Sequence, residues 1–154
     1  MSRPGPAAST GTSRVAPTDS TTLHGIVALI VEDDFLSADA MRCAVEHHGG
    51  VVLGPAPDAA SARALLRARR PDLALLDVHL RGGTTAALAR ELWVMNVPVL
   101  VVTGYSAADL LPTELRGLPR VIKPFTGATL LRAIERALAA RDRQGAAGAR
   151  AAAL

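Results

Sequence analysis

Residues 25–34 read Gly-Ile-Val-Ala-Leu-Ile-Val-Glu-Asp-Asp. The aliphatic and β-branched run Ile26–Val31 predicts a short strand, and the acidic run Glu32-Asp33-Asp34 places charge directly beyond its end. Downstream the same kind of run recurs at Val51–Gly54, Leu73–Leu76, Val99–Val102 and Arg120–Ile122. Of these, the Leu73 and Val99 runs read as fully buried strands.

Between the runs lie Ala-, Leu- and Arg-rich segments of helical period. They predict helices over about Ser37–His48, Ala59–Arg69, Thr84–Trp93, Ala107–Leu111 and Gly127–Arg141, with Asp58 and Thr126 as N-caps. Gly49-Gly50 ends the first helix, Pro71 follows the second and Pro98 precedes the fourth strand. Pro112 interrupts the fourth helix. Repeated βα units of this kind argue for an α/β fold around a parallel sheet.

A chain of 154 residues that is 49% hydrophobic and 20% charged is the size of one domain with tails. Residues 1–22, rich in Ser, Thr, Pro, Gly and Ala, are expected to be a disordered tail or a start assigned too early. The domain is expected over 23–141. Residues 142–154, rich in Ala, Gly and Arg, are expected to be a second disordered tail, too short for an output domain.

The sequence pI of about 10 suggests an acidic partner only if the charge lies on the fold. Between Leu23 and Ala140 twelve Arg or Lys face twelve Asp or Glu, so the excess of +3 comes from the flanks. Nucleic-acid binding loses its support. The longest apolar stretches, 25–31 and 97–102, are far short of the roughly 20 residues of a membrane span. No secretory apolar core follows Arg3, so a cytoplasmic location is expected. A single cysteine, Cys43, excludes an internal disulfide.

In an open parallel sheet, ligands bind beyond the carboxyl ends of the strands. Those ends carry Glu32-Asp33-Asp34, Asp77, Thr103-Gly104 and Lys123-Pro124. Carboxylates drawn together repel unless a cation intervenes, and oxygen ligands without His or Cys nearby favour Mg²⁺. Such a pocket can neutralise a phosphoryl group and leave one carboxylate as nucleophile, a role that fits Asp77. Lys123 is the only lysine among seventeen basic side chains, which points to a need for a compact ammonium there.

Through Ala28–Asp34 (ALIVEDD), Leu73–Leu80 (LALLDVHL), Val99–Tyr105 (VLVVTGY) and Val121–Phe125 (VIKPF), the sequence resembles the receiver domains of bacterial response regulators. The four motifs occur in the family's order, over about Gly25–Arg141. The resemblance implies a flavodoxin-like, doubly wound (βα)5 fold with strand order 2-1-3-4-5. It implies Asp77 as phospho-acceptor, Asp33 as a direct Mg²⁺ ligand, Glu32 as an acidic partner acting through water, and the His79 backbone carbonyl as a further ligand. Thr103 and Lys123 would contact phosphoryl oxygens. The implied partners are a histidine kinase or histidine phosphotransferase and a downstream protein, with the chain a monomer or weak dimer.

The pattern also departs from the family's. Arg120 stands where most members carry an aromatic switch residue, and Tyr105 is the candidate substitute. The Thr-Gly-Tyr stretch resembles the single-domain FAT GUY group, whose Phe-Ala is Val101-Val102 here. Arg81-Gly82-Gly83 replaces the usual Met-Pro after the acceptor. His79 and Tyr105 occupy positions that influence water access to the acyl phosphate. Asp34 lies one place past the family's acidic pair and reads equally as a turn or cap residue.

Other residues read more plainly. Trp93 and Cys43 are expected in the core, His24, His47 and His48 as solvated or capping, and Arg63, Arg67, Arg69 and Arg70 as a solvated helix face. The function expected is a single-domain response regulator, not a turnover enzyme although it catalyses its own phosphorylation and dephosphorylation. Two rivals stand beside it. One is a degenerate receiver that binds partners without phosphorylation. The other is an aspartyl-phosphate phosphatase, disfavoured because His79 occupies the place where such enzymes need a second Asp.

Overall fold

The computed structural model describes residues 22–105 and 108–152, so the expected N-terminal tail falls outside it apart from Thr22. Its elements run β1 (Val27–Val31), α1 (Phe35–His47), β2 (Val51–Ala56), α2 (Ala59–Ala68) and β3 (Leu73–Asp77), then β4 (His79–Leu80), β5 (Gly83–Thr84) and α3 (Ala86–Val94). They continue with β6 (Val99–Thr103), two single 3-10 turns (Ala108–Leu110 and Thr113–Leu115), β7 (Arg120–Ile122) and α4 (Gly127–Ala152).

Five strands form one parallel sheet in the order β2-β1-β3-β6-β7. Counting only these strands, this is the expected path 2-1-3-4-5 of a flavodoxin-like doubly wound fold. Alternate residues of the three inner strands feed two cores. Leu29, Val31, Ala74, Leu76, Val99 and Val101 pack with Ala62 of α2 and Leu88 and Leu92 of α3. Ala28, Ile30, Leu73, Leu75, Leu100 and Val102 face Met41 and Val45 of α1 and Leu130 and Ile134 of α4. Burial on both faces is why these strands are apolar at every position before their carboxyl ends rather than alternating. β1 lies between β2 and β3, with α1 on one face and α2 on the other, so a crevice opens beyond the ends of β1 and β3.

Several expectations are corrected. Residue 107 of the expected fourth helix lies outside the described residues, and the rest holds only a 3-10 turn, Ala108–Leu110, which Pro112 separates from a second, Thr113–Leu115. Pro112 has no N–H and sits at ψ 145°, an extended value that a helix cannot pass through. The third helix begins at Ala86 rather than Thr84, because Thr84 pairs with His79 in a small antiparallel hairpin, β4–β5. The positive φ of Gly82 and Gly83 closes that hairpin. The last helix does not stop at Arg141 but continues to Ala152; alanine's helix preference offsets the two glycines of that stretch.

Trp93 is 72% exposed, and Cys43 is exposed as well. Both sit on helices whose inward rows are filled by others: Leu88 and Leu92, four apart, on α3, and Ala38, Met41 and Val45 on α1. At about 100° per residue, Trp93 and Cys43 are turned out of those rows. The arginine face is more engaged than expected. Arg63 bonds Glu91 at 2.7 Å across to α3, and Arg70 donates to the Met95 carbonyl at that helix's end.

Candidate functional site

The parallel register carries every strand-end residue named from sequence to the same edge of the sheet. Asp77 ends β3, Glu32 and Asp33 follow β1, Thr103 ends β6 and Lys123 follows β7. Ligand oxygens of Glu32, Asp33 and Asp77 lie within 4.8 Å of one another. Lys123 enters this group from the β7 side. Its Nζ donates to Glu32 Oε2 at 2.5 Å and to Asp77 Oδ2 at 3.1 Å.

Local structure explains why the three acidic residues after β1 part ways. Asp34 turns into α1 as its N-cap and accepts the Ser37 N–H at 2.8 Å, which lowers its carboxyl pKa. It takes no part in the acidic group. Glu32 turns inward, and its Oε1 accepts the Asp34 N–H at 3.0 Å. Asp33 faces the mouth of the pocket, where its Oδ2 accepts the Arg81 N–H at 3.0 Å.

Glu32 is only 2% exposed. Burial pushes its carboxyl above the ordinary range, and the neighbouring Asp77 charge adds to this against the opposing bonds from Lys123 and Asp34. Burial alone would lower the Lys123 ammonium, but the Glu32 bond and the charges of Asp77 and Glu32 outweigh it and hold it above its ordinary value. The pocket therefore favours the charged lysine and disfavours ionisation of Glu32. One ammonium against three carboxylates leaves room for further positive charge. An oxygen-only donor set of this kind suits a hard divalent cation rather than a thiophilic one.

The remaining candidates lie at the rim. Thr103 is 1% exposed and its Oγ1 accepts the Tyr105 N–H at 3.1 Å, leaving the hydroxyl proton free to donate. The rings of His79 and Tyr105 meet edge to face, with centroids 5.2 Å apart. Arg120 begins β7 opposite Val101 and is half-buried.

Two residues of the pocket were not found from sequence. Thr85 is fully buried, and its hydroxyl donates to the Asp77 carbonyl at 2.7 Å, tying the start of α3 to the end of β3. The helical period places Thr84 and Thr85 inside the third helix, and nothing in it shows that the Thr85 hydroxyl bonds back to Asp77. Arg81 lies at the hairpin tip with Nε 3.6 Å from Asp33 Oδ2. Its neighbours, two glycines, indicate a turn but not which strand the turn meets.

This arrangement agrees with comparison to known proteins. The family model of the response regulator receiver domain matches residues 28–135. The transcriptional regulatory protein CseB of Streptomyces coelicolor is 37% identical over 113 residues, covering 71% of this chain and 48% of that protein. The chain spans about half the length of the curated relatives it matches. Crystalline NtrX from Brucella abortus superposes with a TM-score of 0.72 at 26% identity, over 80% of this chain and 29% of that one. A CheY-like receiver domain protein from Methanospirillum hungatei JF-1 shares the fold at TM-score 0.67 and 23% identity, over 77% and 98% of the two chains. With its doubly wound sheet, its strand-end pocket and a family match over most of its length, the chain belongs to the response regulator receiver domains of two-component signalling.

Proposed function

We propose that the domain is a phosphorylation switch of a two-component or phosphorelay system, with Asp77 as the acceptor. The observation that carries this reading is the meeting of Asp77 Oδ2 with the Lys123 ammonium at 3.1 Å, beside two further carboxylates. A carboxylate so placed is exposed to an incoming phosphorus while the charge that develops on the phosphoryl oxygens has a cation at hand.

In this reading Asp33 and Asp77 would hold Mg²⁺, with Glu32 behind them and the His79 backbone carbonyl as a further ligand. When bound there, Mg²⁺ would supply positive charge to the phosphoryl oxygens. An Asp77 oxygen attacks phosphorus, the bond to the donor histidine nitrogen breaks with its electron pair left on that nitrogen, and the imidazole, protonated on its other nitrogen, departs neutral. Lys123 and the Thr103 hydroxyl receive the phosphoryl oxygens. Lys123 then gives up its bond to Asp77, and the new charge reorganises the rim around Thr103 and Tyr105. Tyr105 takes the part that an aromatic at position 120 plays elsewhere in the family. Altered binding to a partner protein in the cytoplasm carries the output.

Incubation with acetyl phosphate and Mg²⁺, read by intact-mass spectrometry, tests the proposal. One added phosphoryl group, stable in acid and labile in base, is expected on the wild type and not on Asp77→Asn. Absence of the adduct with both acetyl phosphate and a phosphohistidine donor would favour a receiver that binds partners without phosphorylation. Steady turnover of a small phosphomonoester would favour the phosphatase.

A further inference from the structure

The hairpin β4–β5 is fixed at both ends to the pocket it borders. At its base the Thr85 hydroxyl holds the Asp77 carbonyl, and the Thr85 N–H bonds the Val78 carbonyl at 3.1 Å. At its tip the Arg81 N–H holds Asp33 Oδ2 at 3.0 Å. The main chain of Arg81 is thereby placed at the mouth of the site. Its side chain, however, is 91% exposed and, among the described residues, makes one long ionic contact, 3.6 Å from Nε to that same Asp33 oxygen.

An ion pair this exposed contributes little to stability. Gly82 and Gly83 beside it have open space where a side chain would stand, so the tip is held by its main-chain hydrogen bond and not by side-chain packing. The guanidinium is thus a planar cation on a fixed stem, held over the acidic pocket by a contact that is easily given up. Its fork of donors matches the oxygens of a phosphate better than a lone ammonium does.

We propose that Arg81 recognises the anionic phosphodonor and that Asp33 holds it in reserve until a divalent cation enters the pocket. The cation and the guanidinium compete for Asp33. When the cation takes Asp33, like-charge repulsion frees the guanidinium, which turns to the donor's phosphoryl oxygens above Asp77. Cation binding and donor recognition are in this way coupled through one carboxylate. The inference rests on the reading of Asp77 as acceptor.

Arg81→Ala separates the two roles, because alanine keeps the backbone N–H that fastens the tip to Asp33. Titration of the wild type and the variant with MgCl₂ by calorimetry is expected to show tighter Mg²⁺ binding in Arg81→Ala, by about threefold to tenfold, from the loss of a competing positive charge. At saturating Mg²⁺, the concentration of acetyl phosphate giving half-maximal labelling is expected to rise by about fivefold or more. Arg81→Lys should retain the weaker Mg²⁺ binding and recover part of the donor affinity. A normally labelled wild type whose Arg81→Ala variant matches it in both titrations overturns this inference alone. A wild type that takes neither Mg²⁺ nor a phosphoryl group overturns the acceptor reading as well.

Discussion

At the residue scale, the pocket is governed by one buried carboxylate and one lysine. Glu32 tolerates its burial because Lys123 Nζ lies 2.5 Å from Oε2 and the Asp34 N–H serves the other oxygen. In Lys123→Met the carboxyl loses its cation and its pKa, already raised, climbs further. A raised carboxyl pKa costs nothing below the unfolded value and costs progressively more as pH rises to the folded one. The lysine's raised pKa contributes stability that is complete below its own ordinary value and is lost as pH rises through the higher folded one. The variant is therefore expected to be less stable than the wild type by about 1–3 kcal/mol at neutral pH, with the deficit shrinking toward about pH 4 and again at strongly alkaline pH. Urea unfolding in the presence of a chelator across that range measures it. Equal deficits at acid and neutral pH would show that the lysine acts through packing alone. The gathering of Glu32, Asp33, Asp77 and Lys123 at one edge was legible because each follows an apolar run. Their pairing was not, since Lys123 could have met any of the three carboxylates.

At the element scale, β2 shows how a glycine makes a strand possible where it reads as an end. The sequence suggests a strand stopping at Gly54, yet the pairing with β1 runs on to Ala56. Leu29 faces Leu53 and Val31 faces Ala56, so two residues, Gly54 and Pro55, stand opposite Ile30 alone. This is a bulge, and Gly54 adopts φ +100° to form it. A side-chain carbon there would meet the Ala56 nitrogen at 2.7 Å and the Ile30 carbonyl oxygen at 3.0 Å, both main-chain atoms that cannot give way. Gly54→Ala is expected to lower stability by more than about 1 kcal/mol in chemical denaturation, and an unchanged midpoint would mean that the bulge relaxes at no cost. The same scale contains the weakest sequence-based expectations. The region around Pro112 is a pair of 3-10 turns because Pro112 interrupts the helical path, while Leu111 and Leu115 on either side of it are buried in the core.

At the scale of the whole molecule, two hydrophobic layers clasp one sheet, and a residue's cost of truncation follows from which layer it enters. Leu100 is fully buried among Ile30, Leu75 and the α4 side chains, so Leu100→Ala is expected to cost roughly 2–5 kcal/mol. Trp93→Ala, despite the larger side chain, is expected to stay within about 0.5 kcal/mol, as for an ordinary surface change. Thermal or urea unfolding of both compares them directly, and a large loss for Trp93→Ala would mean that this face is covered. Sequence alone determined the five parallel strands, most helix spans and the edge at which the polar residues gather, because strand period and turn residues are local properties of the chain. Tertiary structure alone decided that Trp93 and Cys43 face solvent, that Thr85 holds the Asp77 main chain and that Arg81 meets Asp33. Each of these depends on how one element is rotated or placed against another, and the energy that sets it comes from contacts between residues far apart in the chain.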